Sequence, residues 1–327
     1  MRRLARLDWG RLSLTCPDGQ LLFFSGEGSG PAADIELMDW GARDALMGSG
    51  DIHLAESYLR GQWCSRDLTA LLTWVAMNRE ALAAPVPGTR WGRPLLRLAH
   101  LLRSDRRRGR QRNIHAHYDL GDEFYARWLD PSMTYSSALF ESDYSRSLEQ
   151  AQLAKYERIL CRLDVQQGDT LLEIGCGWGG FAEYAARTRR CKVHGITVSR
   201  RQLDYARKRV NGAGLASQVT IDYCDYRDVR GEYRHVVSIE MYEAVGARFW
   251  PLYFRSIARR LARGGKAMLQ AIVIDDRLYD DYRGGADFIK QYIFPHGMLA
   301  SPSVFAAQAQ RAGLQVNDRM CFGDDYA

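Results

Sequence analysis

The run Thr170–Ile174 has strand character and passes without a break into Gly175-Cys-Gly-Trp-Gly-Gly180 and then into a helical pattern. Glycines so placed let the backbone run close beneath a ligand, and the N-terminus of the following helix favours acceptor groups. A tight strand-to-helix turn also needs glycine, so the loop alone does not name its ligand. The segments around the loop narrow the choice of fold. Thr170–Ile174, Lys192–Thr197, Val219–Tyr223, His235–Ile239 and Lys266–Ile274 read as short apolar strands. Between them Phe181–Ala186, Gln202–Val210 and a segment near Trp250–Leu261 read as helices, and a longer helix over Ser147–Leu163 precedes them. Strand–helix alternation at this spacing predicts a parallel sheet covered on both faces. The expected class is α/β, a doubly wound, Rossmann-like sheet, with a smaller N-terminal domain.

Two details lean away from a nicotinamide dinucleotide. The glycines are spaced GxGxGG, where that fingerprint is GxGxxG. The second strand ends Gly195-Ile-Thr-Val-Ser-Arg-Arg-Gln202, with no acid in the ribose-reading position. Glu173, one residue from the end of a buried strand, is out of place unless it meets a cationic ligand group or loop N–H groups.

The rest of the chain divides by composition. Residues 1–85 read as a first domain, with Leu12-Ser-Leu-Thr-Cys-Pro-Asp-Gly-Gln-Leu-Leu-Phe-Phe-Ser-Gly26 as strands joined by an Asp-Gly turn and Asp51–Met77 helical in period. Residues 86–112 open with the breaker-rich Pro85-Val-Pro-Gly-Thr-Arg-Trp-Gly-Arg-Pro94 and pass through Leu95–Leu102 into the basic run Arg103–Arg112, which predicts a linker. Residues 113–327 form the sheet domain. The net charge of +6 is modest and much of the local excess sits in that run. It suits a solvated linker or anionic lipid headgroups, and no nucleic-acid recognition motif stands beside it. Seven cysteines are scattered with no CxxC pair, which argues for a reducing cytoplasm and against a disulfide frame. No apolar run approaches a membrane span, and Met1–Leu14 lacks a continuous apolar core, so no signal peptide is expected. The histidines show no metal-ligand spacing, and no metal is expected.

Five runs, in order, resemble the cyclopropane-fatty-acyl-phospholipid synthase family: His117-Tyr-Asp-Leu-Gly-Asp-Glu-Phe-Tyr125, Leu129-Asp-Pro-Ser-Met-Thr-Tyr-Ser136, Glu173-Ile-Gly-Cys-Gly-Trp-Gly-Gly180, Ser238-Ile-Glu-Met-Tyr-Glu-Ala-Val-Gly246 and Tyr292-Ile-Phe-Pro-His-Gly297. Ala55-Glu-Ser-Tyr-Leu-Arg-Gly-Gln-Trp63 extends the likeness more loosely into the first domain. The resemblance implies a class I methyltransferase fold with S-adenosylmethionine as methyl donor. Tyr135 and Ser136 would close over it, and Glu173 would meet its amino group. Gly175 and Gly177 would carry its methionine part. Thr197, Val198 and Gln202 would hold its ribose, and Asp225 and Tyr226 would lie near its adenine.

The implied reaction is methyl transfer to the double bond of an unsaturated phospholipid acyl chain. An alkene is a weak nucleophile with no proton to remove first, so alignment is the protein's main task. Loss of a proton from the resulting cation closes a cyclopropane; without ring closure a methyl- or methylene-branched chain results. The aromatic-rich stretches Tyr118–Trp128 and Tyr279–Phe294 suit a dry, cation-tolerant site. In the resembled family the base is a bicarbonate ion. Glu243 and Tyr326 match two of its ligands, while Ser137 stands where the family has cysteine and Gln270 where many members have histidine. Gln270 donates a hydrogen bond but carries no charge.

The implied partner is a membrane phospholipid reached from the inner face of the membrane by a peripherally bound, cytoplasmic protein; nucleic acid is not expected, and a homodimer stays open. Readings of other classes are a nicotinamide oxidoreductase and a lipid-binding homologue without catalysis. The family continues several dozen residues beyond the tyrosine matched by Tyr326. The expectation is therefore a chain lacking the last, antiparallel strand, which would insert between Lys266–Ile274 and a strand near Leu314–Phe322, with lower stability and weak or no activity alone.

Overall fold

The computed structural model describes residues 7–42, 50–83, 121–285, 287–294 and 297–326. The linker, Leu95–Leu102, the basic run and the first four residues of the His117–Tyr125 motif fall outside these residues. Contacts separate two compact units, one drawn from Met1–Arg103 and Gly285–Ile293 and the other from Ser104–Gly284 and Phe294–Ala327.

In the first unit, β1 (Trp9–Thr15), β2 (Leu21–Ser25), β3 (Gly28–Leu37) and β4 (Trp63–Cys64) form a sheet of order β2-β1-β3-β4. The Asp-Gly turn joins β1 to β2 as an antiparallel hairpin with Thr15 opposite Leu21. The segment read as helical from Asp51 to Met77 is two helices, α1 (Gly50–Leu59) and α2 (Leu68–Met77), broken by β4. Asp67 caps α2 by accepting from the Ala70 N–H at 2.9 Å. Leu12, Ile35, Leu37, Trp63, Leu71 and Trp74 make the core. The segment Gly285–Ile293, which the sequence places in the second domain, groups with this unit; Tyr292 Oη donates to Glu56 Oε1 at 2.5 Å.

The second unit is a five-stranded parallel sheet of order β7-β6-β5-β8-β9: β5 (Thr170–Ile174), β6 (Lys192–Thr197), β7 (Val219–Tyr223), β8 (Tyr233–Ile239) and β9 (Leu261–Gln270). Between α3 (Asp122–Tyr125) and the sheet lies α4 (Leu148–Leu163); α5 (Gly180–Arg189), α6 (Arg200–Gly212) and α7 (Trp250–Arg260) connect strands; α8 (Tyr279–Gly284) and α9 (Pro302–Arg311) follow β9. One core packs α4, α5 and α6 on one face of the sheet, and a second packs α7 and α9 on the other. This is the doubly wound, class I methyltransferase-like α/β fold.

α4 begins where Ser147 and Gln150 form a reciprocal capping box and ends at Asp164, which turns into the left-handed region at φ 59°. Its buried stripe is Ala151, Gln152, Lys155, Tyr156, Ile159, Leu160 and Leu163, a helical period interrupted by two polar residues. β5 pairs with β6 on one side and β8 on the other, so the chain reverses its direction of winding at β5. Ligands of open α/β sheets gather at the carboxyl end of such a switch point.

One strand expectation is corrected. Leu314–Phe322 is not a strand; after α9 and the Gly313 turn at φ 83° the chain runs without ladder pairing into the short 3-10 helix Gly323–Tyr326. Alternating apolar residues make a strand only beside a neighbour that accepts their ladder, and among the described residues β9 pairs with β8 alone. The strand read as Lys266–Ile274 begins earlier, at Leu261, and stops at Gln270; a single bridge, Val273 to Ala300, continues it.

Candidate active site

The carboxyl ends of β5, β6 and β8 open onto a cavity of about 1150 Å³, its mouth included. All ten residues that the sequence marks for the cofactor line it: Tyr135, Ser136, Glu173, Gly175, Gly177, Thr197, Val198, Gln202, Asp225 and Tyr226.

The glycine loop supplies the floor. Gly175 (φ 83°) approaches the Met241 side chain so closely that an added Cβ would sit 2.9 Å from Met241 Cγ. Gly177 (φ 52°) is different: a Cβ there would meet nothing within 4 Å and would project into open space. Trp178 anchors the loop, its indole N–H donating to Asp122 Oδ1 of α3 at 2.7 Å. The same indole faces Tyr125 at 5.0 Å, and Tyr125 and Trp128 face Tyr135 at 5.4 and 5.5 Å. An aromatic box thus fixes Tyr135 at the cavity wall.

Glu173 is 3% exposed, and its Oε2 has no hydrogen-bond partner. Burial pushes its carboxyl up to about 8. A buried acid of this kind is short of a cation or donor. On β6 and the start of α6, the Thr197 hydroxyl donates to Gln202 Oε1 at 2.8 Å, and Ser199 caps α6 through the Gln202 N–H. With its oxygen so occupied, Gln202 turns its amide N–H₂ to any ligand hydroxyl. Asp225 is held by Arg227, which donates from its backbone N–H and its guanidinium. These residues fit S-adenosylmethionine: a cradle kept clear at Gly177, an unpartnered carboxyl for an ammonium and a polar cluster at the end of β6 for a ribose.

The four residues that the sequence marks for proton removal, Ser137, Glu243, Gln270 and Tyr326, do not line this cavity. Ser137 and Gln270 are nevertheless brought together by a residue that the sequence pattern does not single out. The Glu240 carboxylate lines the cavity, and its Oε1 accepts from Ser137 N–H at 2.9 Å and Gln270 Nε2 at 2.8 Å. Gln270 also donates to the Ser137 carbonyl at 3.2 Å. Glu243, in the next turn, accepts from the Ile272 N–H; its second oxygen is buried and unpartnered, and burial pushes its carboxyl up to about 8. Tyr326 is delivered by its neighbour Asp325, whose carboxylate accepts from the N–H groups of Phe140 and Glu141 at 3.0 and 3.3 Å. Burial first, and then the charge of Glu240, push the Tyr326 phenol up to about 12.

A second residue outside the sequence expectation is Lys155. It lies 3% exposed on the buried stripe of α4 and donates to Ser136 Oγ at 2.6 Å and the Ser137 carbonyl at 2.9 Å. Desolvation pulls its ammonium down to about 7, against the opposing charges of Glu240 and Asp130. Gln152, one turn earlier, donates to the Ser136 carbonyl at 2.8 Å. The signal for both is a pair of polar residues inside an apolar helical stripe.

Of the histidines, His194 contacts Tyr233 and Asp222, and His235 contacts Asp169 at the other end of the strands. Among the described residues no group of three His, Cys, Asp or Glu could hold a metal ion.

Comparison with known proteins meets this geometry. The family described as mycolic acid cyclopropane synthetase matches residues 105–327. A tuberculostearic acid methyltransferase of Mycobacterium tuberculosis is 39% identical over 287 residues, covering 85% of this chain and 66% of the relative. The cyclopropane-fatty-acyl-phospholipid synthase of Escherichia coli K12 is 33% identical over 308 residues, covering 91% of this chain and 75% of the relative. The solved structure of the cyclopropane synthase MmaA2 from Mycobacterium tuberculosis superposes with a TM-score of 0.59 at 28% identity, covering 64% of this chain and 76% of that one. That of the mycolic acid cyclopropane synthase CmaA1, complexed with SAH and CTAB, gives 0.57 at 28% identity, with 64% and 76% covered. The chain spans about half to two thirds of the length of the first three curated relatives it matches. By the match over residues 105–327 and the identity to both curated enzymes, the chain belongs to the mycolic acid cyclopropane synthetase family.

Proposed function

We propose that this chain transfers a methyl group from S-adenosylmethionine to the double bond of an unsaturated phospholipid acyl chain, forming a cyclopropane. The observation that carries the reading is the cavity at the switch point, where an unpartnered Glu173 carboxyl stands over a glycine cradle left open at Gly177. Both nearby solved relatives are cyclopropane synthases, one of them bound to SAH.

When bound, the cofactor supplies an electrophilic methyl on a sulfonium. The chain's residues do the rest. Glu173 would hold the ammonium end, Gln202 and Thr197 the ribose, and Tyr226 and Asp225 would lie near the base. Tyr135 and Ser136 close the side toward the acyl chain and keep water from a cation that water would quench. Tyr135, boxed by aromatic faces, offers that cation a π surface. Glu240 and Glu243 are the acids beside it; burial raises both carboxyls, which makes each a stronger base once ionised.

A branched product is the second reading, and one observation favours it. The Ser137 and Gln270 donors turn to Glu240, so proton removal here need not follow the route that closes a ring. The tuberculostearic acid methyltransferase is a relative of this second kind by name.

Because the acyl chain sits in a bilayer, the protein must meet it at the surface. Among the described residues no helix is long and apolar enough to cross a membrane. The basic run Arg103–Arg112 beside Leu95–Leu102 supports peripheral attachment to anionic lipid.

The test is incubation with methyl-deuterated cofactor and vesicles of unsaturated phospholipid, followed by analysis of the released acyl chains. A ring retains two deuterons of the transferred methyl, and a saturated methyl branch three. Unchanged chains from protein that binds the cofactor would refute the assignment.

A further inference from the structure

We propose that Glu240 is the protein's own proton acceptor and occupies the place of a free anion at this site. The inference rests on the acyl-chain methyl transfer proposed above. Three observations converge on it.

The first is geometric. Ser137 and Gln270 are the positions that the resemblance assigns to a bicarbonate. Both donate to Glu240 Oε1, at 2.9 and 2.8 Å. A bicarbonate there would have to displace a carboxylate already held by two donors. The residues present therefore do not fit the exogenous ion, and a side chain of this chain supplies the same chemical group.

The second is electrostatic. Glu243 lies close enough for the Glu240 charge to raise its carboxyl further. A free anion would be a third acid in one buried site, where like charges repel strongly. The cation that acts on Glu240 is Lys155, whose ammonium donates to Ser136 and Ser137 and draws the Glu240 carboxyl down against its burial. Burial is the main influence on Glu240 and holds its carboxyl above the ordinary carboxylate range, so it is a better base than an exposed acid.

The third is conformational. Glu240 follows the last residue of β8 with φ 46°, in the left-handed region that disfavours a side chain. Such a conformation is held only where the surroundings over-determine it, and it clusters at functional sites. Here it falls at a residue that lines the cavity and also meets Ser137 and Gln270. A glycine would adopt the same backbone freely.

The step balances without a further reagent. The alkene π pair forms a bond to the methyl carbon, and the breaking carbon–sulfur pair stays on sulfur, leaving a cation on the acyl chain. The Glu240 carboxylate takes a proton from the transferred methyl. The electron pair of that C–H bond closes the ring; if a 1,2-hydride shift first moves the cation onto the methyl-bearing carbon, the same pair becomes the double bond of a methylene branch. Glu240 is left as the carboxylic acid and returns its proton to water after the product leaves.

The experiment compares the wild-type chain with Glu240→Gly and Glu240→Gln. Glycine keeps the backbone and frees the Ser137 and Gln270 donors. Glutamine fills the space but takes no proton. In carbonate-free buffer the wild type is expected to turn over at the rate seen with added bicarbonate. Both variants should fall by about 100-fold while binding S-adenosylhomocysteine within roughly threefold of wild type. Added bicarbonate or formate should restore Glu240→Gly by roughly tenfold or more and leave Glu240→Gln unchanged. Bicarbonate-dependent wild-type turnover, or an unimpaired Glu240→Gly without any anion, would overturn the proposal. A readout without lipid runs in parallel: carbon-13 bicarbonate is titrated into each S-adenosylhomocysteine-bound protein and followed by NMR. Binding to Glu240→Gly and not to wild type supports the proposal, and equal binding by both overturns it. Should the wild type methylate no phospholipid, the acyl-chain reading fails, and this anion-binding comparison still decides whether Glu240 fills the anion's place.

Discussion

Lys155 donates to the Ser136 hydroxyl at 2.6 Å from a helix stripe that is otherwise almost wholly apolar. It ties α4 to the segment Tyr135–Ser137, which carries two cavity-lining residues and one donor to Glu240. A buried ammonium is costly, and an apolar residue of similar length is often tolerated in its place. Lys155→Met is therefore expected to melt within a few degrees of wild type while cofactor affinity falls by about tenfold, the loss of one charge-assisted hydrogen bond. Calorimetry and thermal melting check both halves. Loss of melting temperature with affinity unchanged would make Lys155 a structural residue only.

Glu173 links pH to binding. Its carboxyl titrates near 8 in the ligand-free protein against an ordinary value of 4.5. The folded state then holds a proton that the unfolded chain has released. Its stabilising share is complete below about 4.5 and is lost as pH rises through about 8. Glu173→Gln removes this loss, so ligand-free Glu173→Gln at pH 8.5 should melt about 2–4 °C above wild type, ~1 kcal/mol for a domain of this size. Cofactor binding should move the other way. An ammonium prefers the ionised acid, so wild-type affinity should rise between pH 6 and 8, and Glu173→Gln should bind at least ~10-fold more weakly without that slope. Parallel pH slopes in the two proteins would remove Glu173 from the ammonium site.

Two glycines of one loop should fail differently. At Gly177 a side chain meets open cavity, and asparagine tolerates its left-handed backbone. Gly177→Asn should keep the melting temperature within a few degrees and weaken S-adenosylhomocysteine by about 100-fold through occupied space. At Gly180 a Cβ would sit 2.6 Å from the Ser132 carbonyl oxygen. Gly180→Ala should instead destabilise by about 1–3 kcal/mol, because the Ser132 backbone must move. Melting curves with and without ligand separate the cases.

Glu243 tests the division between binding and proton removal. It stands outside the cavity lining, with one oxygen on the Ile272 N–H and the other buried without a partner. Glu243→Gln should reduce kcat by about 100-fold and change cofactor affinity less than threefold. Equal losses in both would place Glu243 in the cofactor site.

Membrane attachment is expected to follow charge. Co-sedimentation with vesicles should increase with anionic lipid and decrease as salt rises from about 0.05 to 0.5 M, because screening shortens the reach of Arg103–Arg112. Binding indifferent to lipid charge would leave that run a linker.

Much of the fold was legible in the sequence because it arises from local period. The capping box at Ser147, the strand-to-glycine passage at Ile174 and the hairpin at Asp18-Gly19 are short-range signals. The ten residues that the glycine loop and the family resemblance assign to the cofactor all line one cavity, eight of them in or just after β5, β6 and β7. What escaped depends on partners distant in the chain. Glu240 meets Ser137 across 103 residues and takes a positive φ that no residue pattern announces. Lys155 sits in a charged run, Ala154-Lys-Tyr-Glu-Arg158, and its burial depends on the neighbours that the fold brings to α4. Leu314–Phe322 alternates well enough for a strand, but alternation does not supply a ladder partner.

Methyl transfer to an alkene held beside this cavity can be measured directly. Tritiated methyl from S-adenosylmethionine is followed into phospholipid vesicles, with monounsaturated and fully saturated acyl chains compared at equal headgroup composition. Label is expected in the acyl chains of the unsaturated lipid alone, and it should be lost in Gly177→Asn. Equal labelling of saturated lipid, or label confined to the headgroup, would contradict transfer to the double bond.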